Sequence, residues 1–183
     1  MKKIRLSLVA LSILMFFGCG GEKMETVHIE KRSIEQLLVE YEEWQAGKGA
    51  NNTKTFTAKA ISAYYGIEDL KKDNQYIEYH DIYDFVSSSS AWHNLGDAKD
   101  KLVMDNAQEF ANKGVPVIAT DTDDKHKLTV LIIAGEQASS SKWGVKVPNA
   151  AAFFPKNGPE PFVNKTLNYA WSSPDDIEIW VRK

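Results

Sequence analysis

The spacing of apolar residues changes part-way along this chain, and that change constrains the fold more than any other feature. In three segments before about residue 113, apolar side chains recur at the three- and four-residue intervals of amphipathic helices. Beyond residue 115 the apolar runs are short, rich in Val and Ile, and separated by Gly, Ser, Asn and Pro, which is typical of strands. Helices followed by strands predict a single α+β domain in which N-terminal helices precede an antiparallel sheet.

Capping residues and glycines set the predicted helix boundaries. Ser33 is a good N-cap, and Gln36 three residues later completes a capping box for a first helix that ends at Gly47. A second helical stripe ends at Gly66, and a third helix is predicted over residues 100–113.

The strand half of the chain predicts a hairpin and a closing strand. Residues 115–120 and 128–134 are β-rich runs on either side of a polar turn, and residues 177–181 alternate apolar and polar as in a strand with one buried face. The other segments are predicted as irregular structure over 67–97 and 135–176, with short helices near 149–153 and 164–169.

The N-terminus has the pattern of an export signal. A short cationic start is followed by an apolar core that reaches Phe17, and Gly18-Cys19 comes directly after it. The apolar run is shorter than the roughly 20 residues that a membrane-spanning helix needs. A small residue before a cysteine resembles the lipobox of bacterial lipoproteins, which implies that Cys19 is acylated. The predicted organisation is therefore a signal peptide over 1–18, a lipid-anchored tether over 19–32 and one domain over 33–183.

Cysteine count and charge exclude several kinds of function. Cys19 is the only cysteine, so its acylation would leave the domain without a disulfide, a thiolate metal site or a thiol nucleophile. Removing residues 1–18 leaves 19 Lys and Arg against 25 Asp and Glu, a net charge of about −6. No basic stretch stands out, so nucleic-acid binding has no electrostatic support.

One stretch of the C-terminal half resembles a known family. Its motifs are Ala107-Gln108, residues 111–119 (Ala-Asn-Lys-Gly-Val-Pro-Val-Ile-Ala), the apolar strand that ends in Gly135, and Ser141-Lys142-Trp143-Gly144. Over roughly residues 50–183 the chain resembles the papain-like cell-wall amidases and peptidases of the NlpC and CHAP kind. The resemblance implies a papain-like fold with a nucleophilic cysteine near the N-terminus of the helix before the sheet. A histidine at the start of a core strand would be its base, and a further polar residue would orient that imidazole.

The chain departs from that family at both catalytic positions. The nucleophile would fall near Lys54 or Thr55, and counting back from Gly135 puts Leu128 at the position of the histidine. His126 lies two residues before Leu128, and a slip in register would bring it to the position of the base. Because no thiol is available, the resemblance implies a catalytically silent relative.

Other candidate sites have simpler interpretations. Ser139 and Lys142 form a Ser-x-x-Lys pattern, but the further motifs that this serine chemistry requires are absent. The acidic segment 121–124 lacks the glycine and glutamate of a calcium loop, and the four histidines share no metal-binding spacing. The sequence therefore predicts no metal and no cofactor, and leaves His126 and His93 as the candidates for a catalytic base.

Tryptophans in loop-like segments indicate a binding groove. Trp92, His93 and Trp143 are predicted to line it, because tryptophan stacks on sugars and peptides at low entropic cost. The favoured hypothesis is an envelope lipoprotein, anchored to a membrane through Cys19, that binds peptidoglycan peptides or an envelope protein. The alternatives are an active amidase or peptidase with a non-cysteine nucleophile, and an immunity or inhibitor lipoprotein.

Overall fold

The computed structural model describes residues 31–47, 53–123, 127–155 and 158–183. Cys19, the predicted signal and the tether up to residue 30 lie outside the described residues, as does His126. Within the described residues the helices are α1 (Ile34–Ala46), α2 (Thr53–Tyr65), α3 (Ile82–Ser88) and α4 (Lys101–Asn112). The strands are β1 (Lys71–Lys72), β2 (Gln75–Tyr76), β3 (Trp92–Asp97), β4 (Val117–Asp121), β5 (Thr129–Ile132), β6 (Ala138–Ser139), β7 (Lys146–Val147), β8 (Asn149–Ala152), β9 (Phe162–Thr166) and β10 (Ile177–Arg182).

The predicted α+β class is confirmed. Six strands form one antiparallel sheet in the order β3-β10-β4-β5-β8-β9, and β4 and β5 are adjacent strands, as the predicted hairpin requires. Two further hairpins, β1-β2 and β6-β7, lie outside this sheet.

The capping signals in the sequence explain the helix boundaries. The Ser33 hydroxyl accepts a hydrogen bond from the Gln36 amide at 3.2 Å, and the Gln36 side chain accepts one from the Ser33 amide at 2.9 Å. This is the predicted capping box, and α1 ends at Gly47 as expected. Helix α4 begins after Asp100, whose carboxylate accepts a hydrogen bond from the Leu102 amide at 2.7 Å.

The sheet is covered on both faces, each with its own hydrophobic cluster. On the face that we call the α2 side, α1, α2 and α3 pack against a set of sheet residues that includes Ile118, Leu131 and Trp180. On the opposite face, the α4 side, α4 packs against Val117, Ile132 and other strand residues. Successive residues of a strand point to opposite faces, so the two clusters alternate along β4 and β5.

Residues 67–97, predicted to be irregular, contain the hairpin β1-β2, the helix α3 and the strand β3. Helix α3 is seven residues long, too short for a helical period to show in the sequence. Strand β3 lies at the edge of the sheet, and an irregularity in its pairing with β10 interrupts the alternation that would mark a strand.

The short helix predicted near residues 149–153 is wrong, because Asn149–Ala152 forms β8. Alanine has a high intrinsic helix propensity, yet here three consecutive alanines are fully buried between β5 and β9. Of the segment predicted as a helix near 164–169, Leu167–Tyr169 is a 3-10 turn and the residues up to Thr166 belong to β9.

The closing strand is confirmed as a strand, but its predicted single buried face is wrong. Strand β10 lies between β3 and β4 in the interior of the sheet, so helices cover both of its faces. Trp180, which the alternation placed on the outer face, is only 7% exposed.

Candidate functional site

The structure does not bring the residues of the predicted groove together. Trp92 is 4% exposed, belongs to the α2-side cluster and donates a hydrogen bond from Nε1 to the Asp69 carboxylate at 2.8 Å. Trp143 is 7% exposed and belongs to the α4-side cluster. The sheet separates the two tryptophans, so they cannot line one groove, and both fill the core.

The second member of that groove, His93, lies on the edge strand β3 opposite Val181 of β10. His93 is exposed. His126 and Cys19 lie outside the described residues, so their surroundings stay as predictions.

The N-terminus of α2 and the start of β5 lie at the same end of the α2 side. The Thr57 hydroxyl, in the first turns of α2, donates a hydrogen bond to the carbonyl of Phe153, the residue after β8, at 2.6 Å. At the other end of α2, the Tyr65 hydroxyl donates to the carbonyl of Ile132, the last residue of β5. Helix α2 therefore runs in the same direction as β5, and the two elements begin at the same end. A nucleophile at the start of α2 and a base at the start of β5 would need this arrangement to meet.

The side chains at these two positions are not a nucleophile and a base. Lys54 is exposed, and its ammonium lies 3.5 Å from the Glu78 carboxylate. Leu128 packs against the α4-side cluster, so it points away from α2. The residue of β5 that faces α2 at this end is Thr129, one position later in the strand.

Three polar side chains lie side by side across the sheet at this end. Glu178 on β10 is opposite Thr120 on β4, and Thr120 is opposite Thr129 on β5. All three share the α2 side, because they lie two residues from Trp180, Ile118 and Leu131 of that cluster. Cross-strand neighbours have Cβ atoms about 5 Å apart. We call Glu178, Thr120 and Thr129 the polar row.

The two threonines of the polar row are buried without hydrogen bonds. Thr120 is 0% exposed and Thr129 is 2% exposed, and neither hydroxyl has a hydrogen-bond partner. The indole N–H of Trp180, two residues from Glu178 on β10, is also buried without a partner. A buried polar group without a partner costs about 1–3 kcal/mol, so such groups are uncommon and require an explanation. Three such groups lie on the adjacent strands β10, β4 and β5.

Two carboxylates, those of Glu178 and Asp84, lie near the Tyr83 hydroxyl on the α2 side. Glu178 is half-buried and accepts a hydrogen bond from the Asn94 amide group at 2.9 Å. Lys127 lies 3.1 Å from the Asp84 carboxylate on α3.

Tyr83 packs edge-on against Trp180, with ring centroids 6.3 Å apart. Burial raises the pKa of the Tyr83 hydroxyl, and the charges of Glu178 and Asp84 raise it further, although Lys127 acts in the opposite direction. Two carboxylates and one ammonium therefore act on the Tyr83 hydroxyl.

The motifs that carried the family resemblance have a structural role. The side-chain amide of the buried Gln108 donates hydrogen bonds to the Asn112 side chain and to the Ile133 carbonyl, both at 3.0 Å. Its oxygen accepts a hydrogen bond from the backbone N–H of Asn149 at 2.7 Å. Asn112 in turn accepts a hydrogen bond from the Gly135 amide at 2.8 Å. These bonds fix α4 to the ends of β5 and β8, far from the polar row at the start of β5.

The Ser-x-x-Lys segment borders an open pocket of about 580 Å³ beside the start of α4. Ser139, Ser140 and Ser141 line this pocket together with Lys101 and Lys146, and Lys142 does not. The Ser140 hydroxyl accepts a hydrogen bond from the Trp143 amide at 3.2 Å, so it stabilises a turn. Ser139 and Lys142, the serine and lysine of the pattern, are both exposed, so neither has the desolvated surroundings that activate a nucleophile.

The part of the chain that the structure describes contains no group of three or more His, Cys, Asp or Glu placed to hold a metal ion. No helix among the described residues is long and apolar enough to cross a membrane. No protein-family model matches the chain, and no curated protein matches it significantly.

Sequence reasoning missed the polar row. The only signal was a threonine in each of two otherwise apolar runs, at positions 120 and 129. Threonine is common in strands, so this signal is weak without the register that places the two residues opposite each other.

Proposed function

We propose that this chain is a lipid-anchored envelope lipoprotein whose domain is a silent relative of the papain-like amidases and binds peptidoglycan peptides without cleaving them. The polar row is the observation that carries the binding part of this proposal. It lies at the end of the α2 side where α2 and β5 both begin, and that end is where the family resemblance would place a substrate. Both hydroxyls are buried, so a peptide would reach them only where side chains of the α2-side cluster move aside. Once reached, each hydroxyl can both donate and accept a hydrogen bond.

The absence of cleavage follows from chemistry. Amide hydrolysis near neutral pH needs a nucleophile activated by a lowered pKa, an adjacent base or a metal ion. The only cysteine is Cys19 of the predicted lipobox. Lys54 is ion-paired with Glu78, and Leu128 points away from α2. Among the described residues, the side chains at the nucleophile and base positions therefore offer no group that could attack a peptide.

Binding is tested by sedimentation of the full chain, in mild detergent, with purified sacculi. We expect the wild-type protein to sediment with the sacculi, and the double variant Thr120→Val, Thr129→Val to bind at least tenfold more weakly. Replacing an unpartnered hydroxyl by a methyl group of similar shape leaves no new unsatisfied group, so the double variant should melt at or above the wild-type temperature. Thr166→Val, on the far edge strand β9, is the matched control and should bind normally. Equal binding by the double variant and the wild type would contradict the proposed site.

Anchoring is tested separately by Cys19→Ser. Because lipidation begins at the Cys19 thiol, which serine lacks, we expect this variant to lose acyl labelling and to leave the detergent phase in a phase-partition experiment. The domain should stay folded, since Cys19 precedes it by more than ten residues. Equal partitioning of the variant and the wild type would remove the lipoprotein part of the proposal.

A further inference from the structure

The open pocket beside the start of α4 is lined by hydrogen-bond donors, and none of the described residues that line it carries a carboxylate. Lys146 on β7 is paired with Ser139 on β6, so their side chains leave the hairpin on the same face, about 5 Å apart. Lys101 lines the same pocket from the first turn of α4. All three residues are exposed, so a ligand can enter from solvent without any side chain moving aside.

A buried hydroxyl forms part of the same lining. Ser140 is only 6% exposed, and its hydroxyl oxygen accepts the hydrogen bond from the Trp143 amide. The turn is also held by its backbone, because the Gly144 amide donates to the Ser140 carbonyl at 2.9 Å and the Ser140 amide donates to the Val145 carbonyl at 3.0 Å. Among the described residues the hydroxyl proton of Ser140 has no acceptor, so a ligand in the pocket can provide one.

The charges around this pocket are unbalanced in favour of cations. The Lys101 ammonium donates a hydrogen bond to the Asp105 carboxylate at 2.5 Å, whereas no carboxylate of the described residues lies within 4 Å of the Lys146 ammonium. The hydrogen bond from Lys101 lowers the pKa of the Asp105 carboxyl, and the charges of Lys101 and Lys146 lower it further. Both ammoniums therefore act at the same place, where a single carboxylate opposes them.

We propose that this pocket binds the phosphate group of a small soluble phosphomonoester, between Lys101 and Lys146 and against the hydroxyls of Ser139 and Ser140. A phosphomonoester carries close to two negative charges at pH 7 and has three strong acceptor oxygens. Two ammoniums and two hydroxyls supply the opposite charges and the donors for these oxygens. The pocket volume of about 580 Å³ is typical of small-molecule sites and leaves room for the rest of the ligand. Because the pocket lies on the α4 side, the inference is independent of the polar row and of the proposed function.

The test is isothermal titration calorimetry of the full chain, in mild detergent and at constant ionic strength, with glycerol 3-phosphate. We expect saturable binding by the wild type, and binding at least about tenfold weaker by Lys146→Gln, which loses a charge-assisted hydrogen bond. Lys142→Gln is the matched control, because it removes the same charge from the same turn but Lys142 does not line the pocket. Its affinity should stay within about twofold of the wild type. Both lysines are exposed, so both variants should melt at the wild-type temperature.

Acetate and glycerol are titrated under the same conditions as ligand controls. We expect both to bind at least about tenfold more weakly than glycerol 3-phosphate, because acetate has one charge and two oxygens and glycerol has no charge. Acetate binding as tight as that of glycerol 3-phosphate would overturn the phosphate assignment. The absence of saturable binding by the wild type would overturn the site, as would equal weakening by Lys142→Gln and Lys146→Gln. Sedimentation with sacculi tests the proposed function separately.

Discussion

Gly135→Ala is expected to destabilise the domain by roughly 3 kcal/mol or more, the sum of a steric and a conformational cost. An added Cβ would lie 2.4 Å from Nδ2 of Asn149 and 3.0 Å from its Cβ and Cγ. Gly135 also has a φ of +152°, a backbone conformation that side chains rarely adopt. Asn149 cannot move aside freely, because its side chain donates to the Ala134 carbonyl at 2.9 Å. Thermal melting should show a decrease of about 10 °C for a domain of this size.

Gly114→Ala is the matched control for this prediction. Gly114 also has a positive φ, +74°, but an added Cβ would meet no heavy atom within 4 Å. The expected cost is therefore the conformational part alone, about 1 kcal/mol. Equal melting temperatures of the two variants would show that the close approach of Gly135 to Asn149 does not stabilise the fold.

Ile132→Asp is expected to unfold the domain. Ile132 is 0% exposed and faces the α4-side cluster between β4 and β8. A carboxylate there would have no cation and few donors, at a cost of roughly 4 kcal/mol or more, comparable with the whole stability of an ordinary domain. Circular dichroism and thermal melting should show the loss of a cooperative transition.

Val39→Asp introduces the same carboxylate at an exposed position, since Val39 on α1 is 56% exposed. Its effect should stay within about 0.5 kcal/mol, as for most surface substitutions. A cooperative melt of Ile132→Asp close to that of Val39→Asp would contradict the central position of β5.

Features encoded by neighbouring residues could be predicted from the sequence. The capping box of Ser33 and Gln36 depends on a spacing of three residues, and it is present in the structure. The β4-β5 hairpin follows from two β-rich runs on either side of a polar turn, and its strands are paired. In each example local propensity and tertiary packing favour the same conformation.

Features set by packing between distant residues could not be predicted. Ala150, Ala151 and Ala152 are strand residues because the sheet buries them on both faces, which no local pattern reveals. Trp92 and Trp143 were predicted to share a groove, but whether two tryptophans meet depends on which sheet face each one packs against. The polar row needs the register of three strands, two of which are more than fifty residues apart in sequence.

The residues that carry the family resemblance have a structural role in this domain. Gln108, Asn112 and Gly135 form hydrogen bonds that hold α4, β5 and β8 together. Those residues maintain the architecture, whereas Lys54 and Leu128, near the other end of β5, form an exposed ion pair and a packing contact. If, as we propose, the domain is a silent relative of the amidases, this network would preserve its fold without any requirement for hydrolysis.

Release of muropeptides from sacculi distinguishes a silent domain from a hydrolase. Purified sacculi are incubated with the full chain and the soluble products are separated by chromatography, with an active cell-wall amidase as the positive control. We expect no release above that of buffer, while the protein sediments with the sacculi in the same tube. Release of muropeptides by the wild type that is lost in His126→Ala or His93→Ala would contradict it, and would show that the chain is a hydrolase.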